Sequence, residues 1–284
     1  MHIFNHFFSP PRISYLKQSI ALALAEDGRD LTSEALFSPG EQLTARIICK
    51  APGVICGLPI ISLILQQLQG DVEIEFTGRE GQECSCGHSM VRITGDATLL
   101  LKAERVILNY ICHLSGIATY THEFCKILRD SGTSILDTRK TLPGLRYPEK
   151  YAVLVGGGKN HRMNLEEMLM LKDNHIDRAG NITNAVNLLR QKYPECPPLE
   201  VECRTEREVY EAVKCKVDRI MLDNMTPKDL VRILPYIPDT IETEISGGIS
   251  LYNLELFSGL GANYISIGSL THSAPALDLS MIIE

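Results

Sequence analysis

Long apolar runs are missing from this chain. No stretch reaches the roughly 18 residues that a membrane-spanning helix needs, and the best candidate, Gly53 to Leu68, is interrupted by Pro59 and two glycines. The N-terminal segment MHIFNHFFSPPR lacks a basic stretch followed by an apolar core, so it is not read as a secretory signal. Its aromatic residues are expected to fray. An excess of basic residues is also missing: the formal net charge is −7 and the sequence pI about 5.7. A broad nucleic-acid-binding face or an anionic membrane as partner is therefore excluded. Metal-ligand spacing is absent too. Of nine cysteines only Cys84 and Cys86 lie close together, and a lone C-x-C is a poor zinc signature. His88, His113, His122 and His272 follow no ligand pattern. Cys49, Cys56, Cys112, Cys125, Cys203 and Cys215 sit in apolar or helical contexts, as reduced thiols of a cytoplasmic protein do. Gly156-Gly157-Gly158 is not followed by GK[ST], which rules out a Walker loop.

What remains is an ordinary globular composition, 44% hydrophobic and 22% charged over 284 residues, enough for one large or two closely packed domains. Ser14–Glu26 has helical apolar spacing with a serine in cap position. Strands are expected at Thr44–Lys50, Val72–Thr77 and Met90–Gly95, with a helix over Pro59–Leu68. A helical pattern runs from Asp96 to Arg129, with a break expected near Ser115-Gly116. After Gly132 the pattern turns to regular alternation. Strands Ser134–Thr138, Met168–Lys172, Leu199–Cys203, Arg219–Asp223, Thr243–Ser246 and Tyr264–Gly268 alternate with helices Pro148–Gly156, Thr183–Lys192, Glu206–Lys214, Pro227–Ile233 and Leu251–Ser258. β-Branched strands alternating with amphipathic helices indicate βα units on a parallel sheet. The expected fold class is α/β: an N-terminal α/β domain over residues 1–112 and an open (β/α) barrel over 113–269.

Each barrel strand ends in a chemically loaded group: Asp137-Thr138-Arg139-Lys140, Lys172-Asp173-Asn174-His175, Glu202, Asp223-Asn224, Ser246-Gly247-Gly248 and Gly268-Ser269. In such barrels the carboxyl ends of the strands form the catalytic rim. The segment Asp137 to His175 carries seven Lys/Arg against five Asp/Glu, a local +2 in an acidic chain. Arg139, Lys140, His161, Arg162 and Lys172 therefore point to a pocket for a ligand with more than one negative charge. Two late glycine loops, each expected to precede a helix, point to a phosphate. Glu202 and Asp223 suit sugar hydroxyls or Mg²⁺. A surface ion pair is the ordinary reading of Glu104-Arg105.

The runs DTRKTLPGLR, EKYAV, GGG, HR and KDNH closely resemble the quinolinate phosphoribosyltransferases, as do AEDGRDLTS, ERVILNYICHLSGIAT, VEC, LDN, SGGI and ISIGSLTHSAPALD. The resemblance implies an N-terminal α/β sandwich domain, an open α/β barrel, and a C-terminal tail over 270–284 returning to the first domain. It implies cytoplasmic homodimers or hexamers with shared sites, acting on quinolinate and phosphoribosyl pyrophosphate with Mg²⁺, without nucleic acid or membrane. Thr138, Arg139, Lys140, His161, Arg162 and Lys172 would bind the quinolinate carboxylates and neighbouring phosphate, and Arg105 would reach in from a partner. Glu202 and Asp223 would hold the ribose hydroxyls and Mg²⁺. Ser246, Gly247, Gly248, Ile267, Gly268 and Ser269 would bind the 5′-phosphate. Lys140, Lys172, Glu202 and Asp223 would be the catalytic set. Leu142 stands where the family more usually has a second threonine, and AEDGRDLTS is short for its loop. Neither departure removes a charge. A nicotinate-using enzyme and a molybdate-transport-associated relative are the alternatives.

Overall fold

The computed structural model describes residues 2–284. In chain order the first elements are α1 (His2–Phe7), α2 (Arg12–Asp27), α3 (Leu31–Leu36), β1 (Gln42–Cys49), β2 (Gly53–Val54) and α4 (Leu58–Gln67). Next come β3 (Val72–Phe76), β4 (Glu83–Cys84), β5 (Ser89–Asp96), α5 (Ala97–Ile127), β6 (Ser134–Leu136), α6 (Arg146–Val155) and β7 (Leu169–Leu171). The chain continues through α7 (Asp173–Ala179), α8 (Ile182–Lys192), β8 (Leu199–Cys203), α9 (Glu206–Lys214), β9 (Arg219–Asp223) and α10 (Pro227–Ile233). It closes with β10 (Glu242–Ser246), β11 (Tyr264–Ser266), α11 (Ser269–His272) and β12 (Leu279–Ile283).

Two compact units are formed. One gathers the chain through His122 with Thr141–Gly157 and Leu270–Glu284; the other holds Glu123–Lys140 and Gly158–Ser269. The first unit is built on a four-stranded antiparallel sheet in the order β12-β1-β5-β3. Helix α4 is apolar, with Ile60, Ile61, Ile64 and Leu65 fully buried. Its first N–H groups have no partner within the helix, and the Glu80 carboxylate accepts them from Gly57 at 2.7 Å and Leu58 at 2.9 Å. Glu80 also accepts the Tyr151 hydroxyl at 2.9 Å. The Tyr151 ring in turn sits among Phe4, Phe7 and Phe8, with centroids 5.3–5.6 Å away. The N-terminal aromatics therefore do not fray. Each is at most 5% exposed, because three phenyl rings at helical spacing lose more water contact around Tyr151 than their ordering costs.

Helix α5 is unbroken across Ser115-Gly116, contrary to the break expected from those residue types. Ser115 is bonded out of the helix instead: its hydroxyl accepts the Cys56 amide at 2.9 Å and donates to the Cys56 carbonyl at 3.2 Å. Gly116 is where the backbone at Pro275-Ala276 crosses the helix. A Cβ there would collide with the Pro275 carbonyl oxygen and come within 2.9 Å of the Ala276 Cα. Glycine serves close approach here rather than helix termination.

The second unit is a six-stranded, all-parallel sheet in the order β6-β11-β10-β9-β8-β7. Its end strands, β6 and β7, are not paired with each other, so the barrel is open. Asn181, Thr205 and Thr226 cap α8, α9 and α10, each accepting the amide three residues on. Two expectations change. The segment Leu251–Ser258 forms only a 3-10 turn over Leu254–Phe257, and Asp173–Ala179 is helical where none was expected. The glycine loops thus precede a 3-10 turn and the four-residue α11, not long helices.

Gly116→Ala is expected to lower the unfolding free energy by roughly 3 kcal/mol, since backbone cannot yield as a side chain does. Urea titration measures it; an unchanged midpoint would mean that the crossing has room.

Candidate active site

Along β8–β11 residues alternate strictly. Leu199, Val201, Cys203, Ile220, Leu222, Ile245 and Ile265 are buried on one face. The other face of the same strands carries Glu200 and Glu202, Arg219 and Asp223, Glu242, Glu244 and Ser246, Tyr264 and Ser266. Register stacks these residues in tiers: Glu200 and Glu242 both pair with Arg219, Glu202 and Glu244 with Met221, and Ser246 with Asp223. Successive tiers are about 6.6 Å apart.

Glu202, Asp223 and Ser246 are the last residues on that face of β8, β9 and β10 and stand at the rim. Glu202 is half-buried, and burial first, then the neighbouring Asp223, pushes its carboxyl up; Lys172 opposes this. A carboxyl raised by a neighbouring acid is in the charge arrangement that a divalent cation relieves. Asp223 accepts the Asn224 side-chain amide at 2.7 Å, and the Asn224 backbone N–H donates to the Ser246 carbonyl at 2.8 Å. Asn224 thereby ties two strand ends together, and its φ of +54° is one that asparagine tolerates. It stands against Gly247, whose φ is +104° and whose Cβ, if present, would run into the Asn224 side chain. Gly248 follows at φ +63° in open space. At the end of β11 the Ile267 side chain is buried and its amide donates to the Leu136 carbonyl at 3.0 Å. Gly268 and Ser269 are half-exposed beyond it.

The cations belong to one unit, and Arg139 and Arg162 approach one another from different connections. Thr138 accepts the Lys140 amide at 3.0 Å, which turns the chain after β6. Arg139 is half-buried, and its Nε is buried without a hydrogen-bond partner. A buried guanidinium donor at a barrel rim is suited to bonding an oxyanion. Arg162 donates through Nη1 to the Met168 carbonyl at 2.8 Å. Burial, followed by the nearby Arg139, pulls its guanidinium down from its ordinary value, against the raising influence of Glu200. Lys140 and Lys172 are exposed. Arg105 lies in the other unit, exposed on α5.

His161 is the exception among the expected ligands: its side chain is only 5% exposed. Asp137 Oδ1 accepts its backbone N–H at 2.8 Å, and its Nδ1 accepts the Arg162 N–H at 2.7 Å. Its Nε2 sits 2.9 Å from Glu200 Oε2 and 3.5 Å from Glu244 Oε2. His161, Glu200 and Glu244 are close enough together to form a metal-ligand triad. The occupied Nδ1 places the ring proton on Nε2, which leaves no lone pair there for a cation. Arg219, 3.4 Å from Glu244, already supplies positive charge. Sequence reading passed over Glu200 and Glu244, and named Asp137 and Asn224 only as members of their strand ends. The acids could have been found from charges at alternate positions in LEVEC and ETEIS, which in a barrel strand share a face with the rim residue.

An open parallel α/β barrel with an anion-binding rim of cations, paired acids and glycine loops defines the class: a barrel enzyme acting on multiply charged, phosphorylated substrates. The family model for the C-terminal domain of quinolinate phosphoribosyl transferase matches residues 117–282, and that for its N-terminal domain matches 30–115. The chain belongs to the quinolinate phosphoribosyltransferase family. It is 44% identical, over 89% of its length and 87% of the relative's, to a probable nicotinate-nucleotide pyrophosphorylase [carboxylating] of Bacillus subtilis. It is 38% identical to the chloroplastic nicotinate-nucleotide pyrophosphorylase [carboxylating] of Arabidopsis thaliana, over 95% of this chain and 83% of that one. The NadC structure from Streptococcus pyogenes superposes with a TM-score of 0.92 at 37% identity, covering 97% of this chain and 98% of that chain.

Burial pushes the Glu244 carboxyl up to about 7, with Glu200 adding to it. A raised carboxyl contributes stability below the ordinary carboxylate range, and that contribution is lost as pH rises through the folded value. The stability of the parent relative to Glu244→Gln should therefore fall by about 2 kcal/mol between about pH 5 and about pH 8. Denaturant titrations across that range check it; a pH-independent difference would refute the shift.

Proposed function

We propose that the protein transfers the phosphoribosyl group of phosphoribosyl pyrophosphate to the ring nitrogen of quinolinate, with loss of CO₂. The products are nicotinate mononucleotide and pyrophosphate, a step of de novo NAD synthesis. The observation that carries the reading is the buried, unpaired Nε of Arg139 beside Arg162 and the two rim lysines. Two adjacent carboxylates on a pyridine ring match that density of donors, whereas nicotinate, with one carboxylate, would leave cations unpaired.

In this reading Arg139 and Arg162 clamp the two carboxylates and hold the ring nitrogen toward C1 of the ribose. The loops at Ser246-Gly247-Gly248 and Gly268-Ser269 hold the 5′-phosphate, and Glu202 and Asp223 hold the ribose hydroxyls. The same two acids would hold Mg²⁺, which supplies charge neutralisation on the pyrophosphate. The nitrogen attacks C1, the C1–O bond breaks, and pyrophosphate leaves with the electron pair. Lys140 and Lys172 stabilise the departing charge. The now positive ring accommodates the electron pair left at C2 when the C2 carboxylate departs as CO₂, and C2 then takes a proton from solvent. No side-chain nucleophile is required; the barrier falls by positioning and electrostatics. Homodimers or hexamers of dimers, with Arg105 of one copy serving the rim of another, complete the site.

Carboxyl-labelled quinolinate, phosphoribosyl pyrophosphate and Mg²⁺ should together release CO₂, and omission of any one should abolish release. Matched nicotinate should yield no nucleotide; nucleotide from nicotinate without CO₂ from quinolinate would replace this reading with the nicotinate-using one. Arg105→Ala and Lys140→Ala preparations, each nearly inactive, should regain up to about a quarter of parental activity after mixing and subunit exchange, because random exchange gives half the dimers as hybrids with one complete site. No recovery despite demonstrated exchange would mean that each subunit builds its own site.

A further inference from the structure

On the same strand faces as the rim residues lies buried charge to which the chemistry above assigns no task. Glu200 and Glu244 are both 0% exposed, an unusual place for carboxylates. They come from neighbours of β9 on either side and converge on one imidazole, that of His161. His161 is held at its other nitrogen by the Arg162 backbone N–H and at its own N–H by Asp137. The backbone that carries Arg162 is thereby fixed from below, while Met168 fixes one arm of its guanidinium. Glu200 also faces Arg162 electrostatically, supplying negative charge under a cation that burial and Arg139 both disfavour. Arg219 holds the acids in place: its Nη1 lies 3.4 Å from Glu244, its Nη2 donates to Glu242 at 2.6 Å, and its guanidinium lies over the Tyr264 ring at 4.5 Å. A buried acid pair spends desolvation energy for no gain in packing, so its position under the substrate-binding arginine requires another explanation.

We propose that Glu200 and Glu244 are positioning residues for the pyridine dicarboxylate: acting through His161, they set the placement of Arg162 at the rim. His161 is accordingly the joint between the acids and Arg162. The proposal rests on the reading of Arg162 as a carboxylate-binding group.

The test uses full-length Glu200→Gln, Glu244→Gln, His161→Ala and the double variant His161→Ala/Glu200→Gln. Calorimetric binding of quinolinate is measured alongside KM and kcat for both substrates. Each single variant should weaken quinolinate binding about tenfold while the KM for phosphoribosyl pyrophosphate stays within about twofold. The double variant should be no weaker than His161→Ala alone, because both changes break one chain of contacts. Multiplied effects in the double variant would overturn the proposal, as would tighter quinolinate binding in the Gln variants, the sign of a charge effect alone. A lowered melting temperature with unchanged quinolinate binding would also overturn it, leaving a structural role. If a Gln variant does not fold, Glu200→Asp keeps the charge, retracts it from the imidazole and should weaken binding in the same selective way. Parent protein that binds quinolinate but does not release CO₂ would refute the assigned reaction while leaving the positioning test in force; no binding by the parent would refute both.

Discussion

Charge that cannot reach water governs the barrel unit. Glu200 and Glu244 have no solvent exposure, and buried carboxylates persist only where cations or protons answer them. Arg219 on β9 answers from below and His161 from the side. Those contacts exist only in one strand register, the one that sets Glu200 beside Arg219 and Ser246 beside Asp223. A slip by one residue would turn the acids outward among the helices and bring Ile220 and Ile245 into the barrel. The rim therefore inherits its geometry from the tier beneath it. Asp223 and Ser246 stand level because that register pairs them, and Glu202 lies one step along the neighbouring strand, opposite Met221.

Much of this was legible in the chain itself, and the reason is alternation. Strands Leu199–Cys203 and Arg219–Asp223 and helices Glu206–Lys214 and Pro227–Ile233 have the bounds expected from the sequence. In these units the period of two and the period near 3.6 are separated by a clear cap or turn. The expected cationic rim was located in the sequence by the same strand ends. Less legible were features whose cause lies far along the chain. Gly116 reads as a helix breaker until the backbone of Pro275 and Ala276 is seen against it. Phe4, Phe7 and Phe8 read as a loose end until Tyr151 is seen among them. His161 reads as a ligand because histidine beside arginine usually is one; only the buried acids show where its ring is directed.

Glycine and asparagine at the strand ends solve a different problem. Asp223 and Ser246 pair in register at neighbouring strand ends, yet each must start its own connection to the next element. Asn224 reconciles the two by bonding to Asp223 with its side chain and to Ser246 with its backbone. That bridge leaves no space for a side chain at Gly247. A loop read first as a phosphate cradle is thus also the place where two strand ends are joined.

The sheet of the first unit is completed by the last strand of the protein, β12, with Ala45 paired to Ile283 and Cys49 to Leu279. Nearly the whole chain intervenes between the two partners. Pairing across such a separation carries a large loop-closure cost until what lies between has become compact. During synthesis β1 emerges early and keeps an unpaired edge until the barrel strands and the tail have followed. Until then the free edge of β1 is the kind of unpaired strand edge that another chain could pair with.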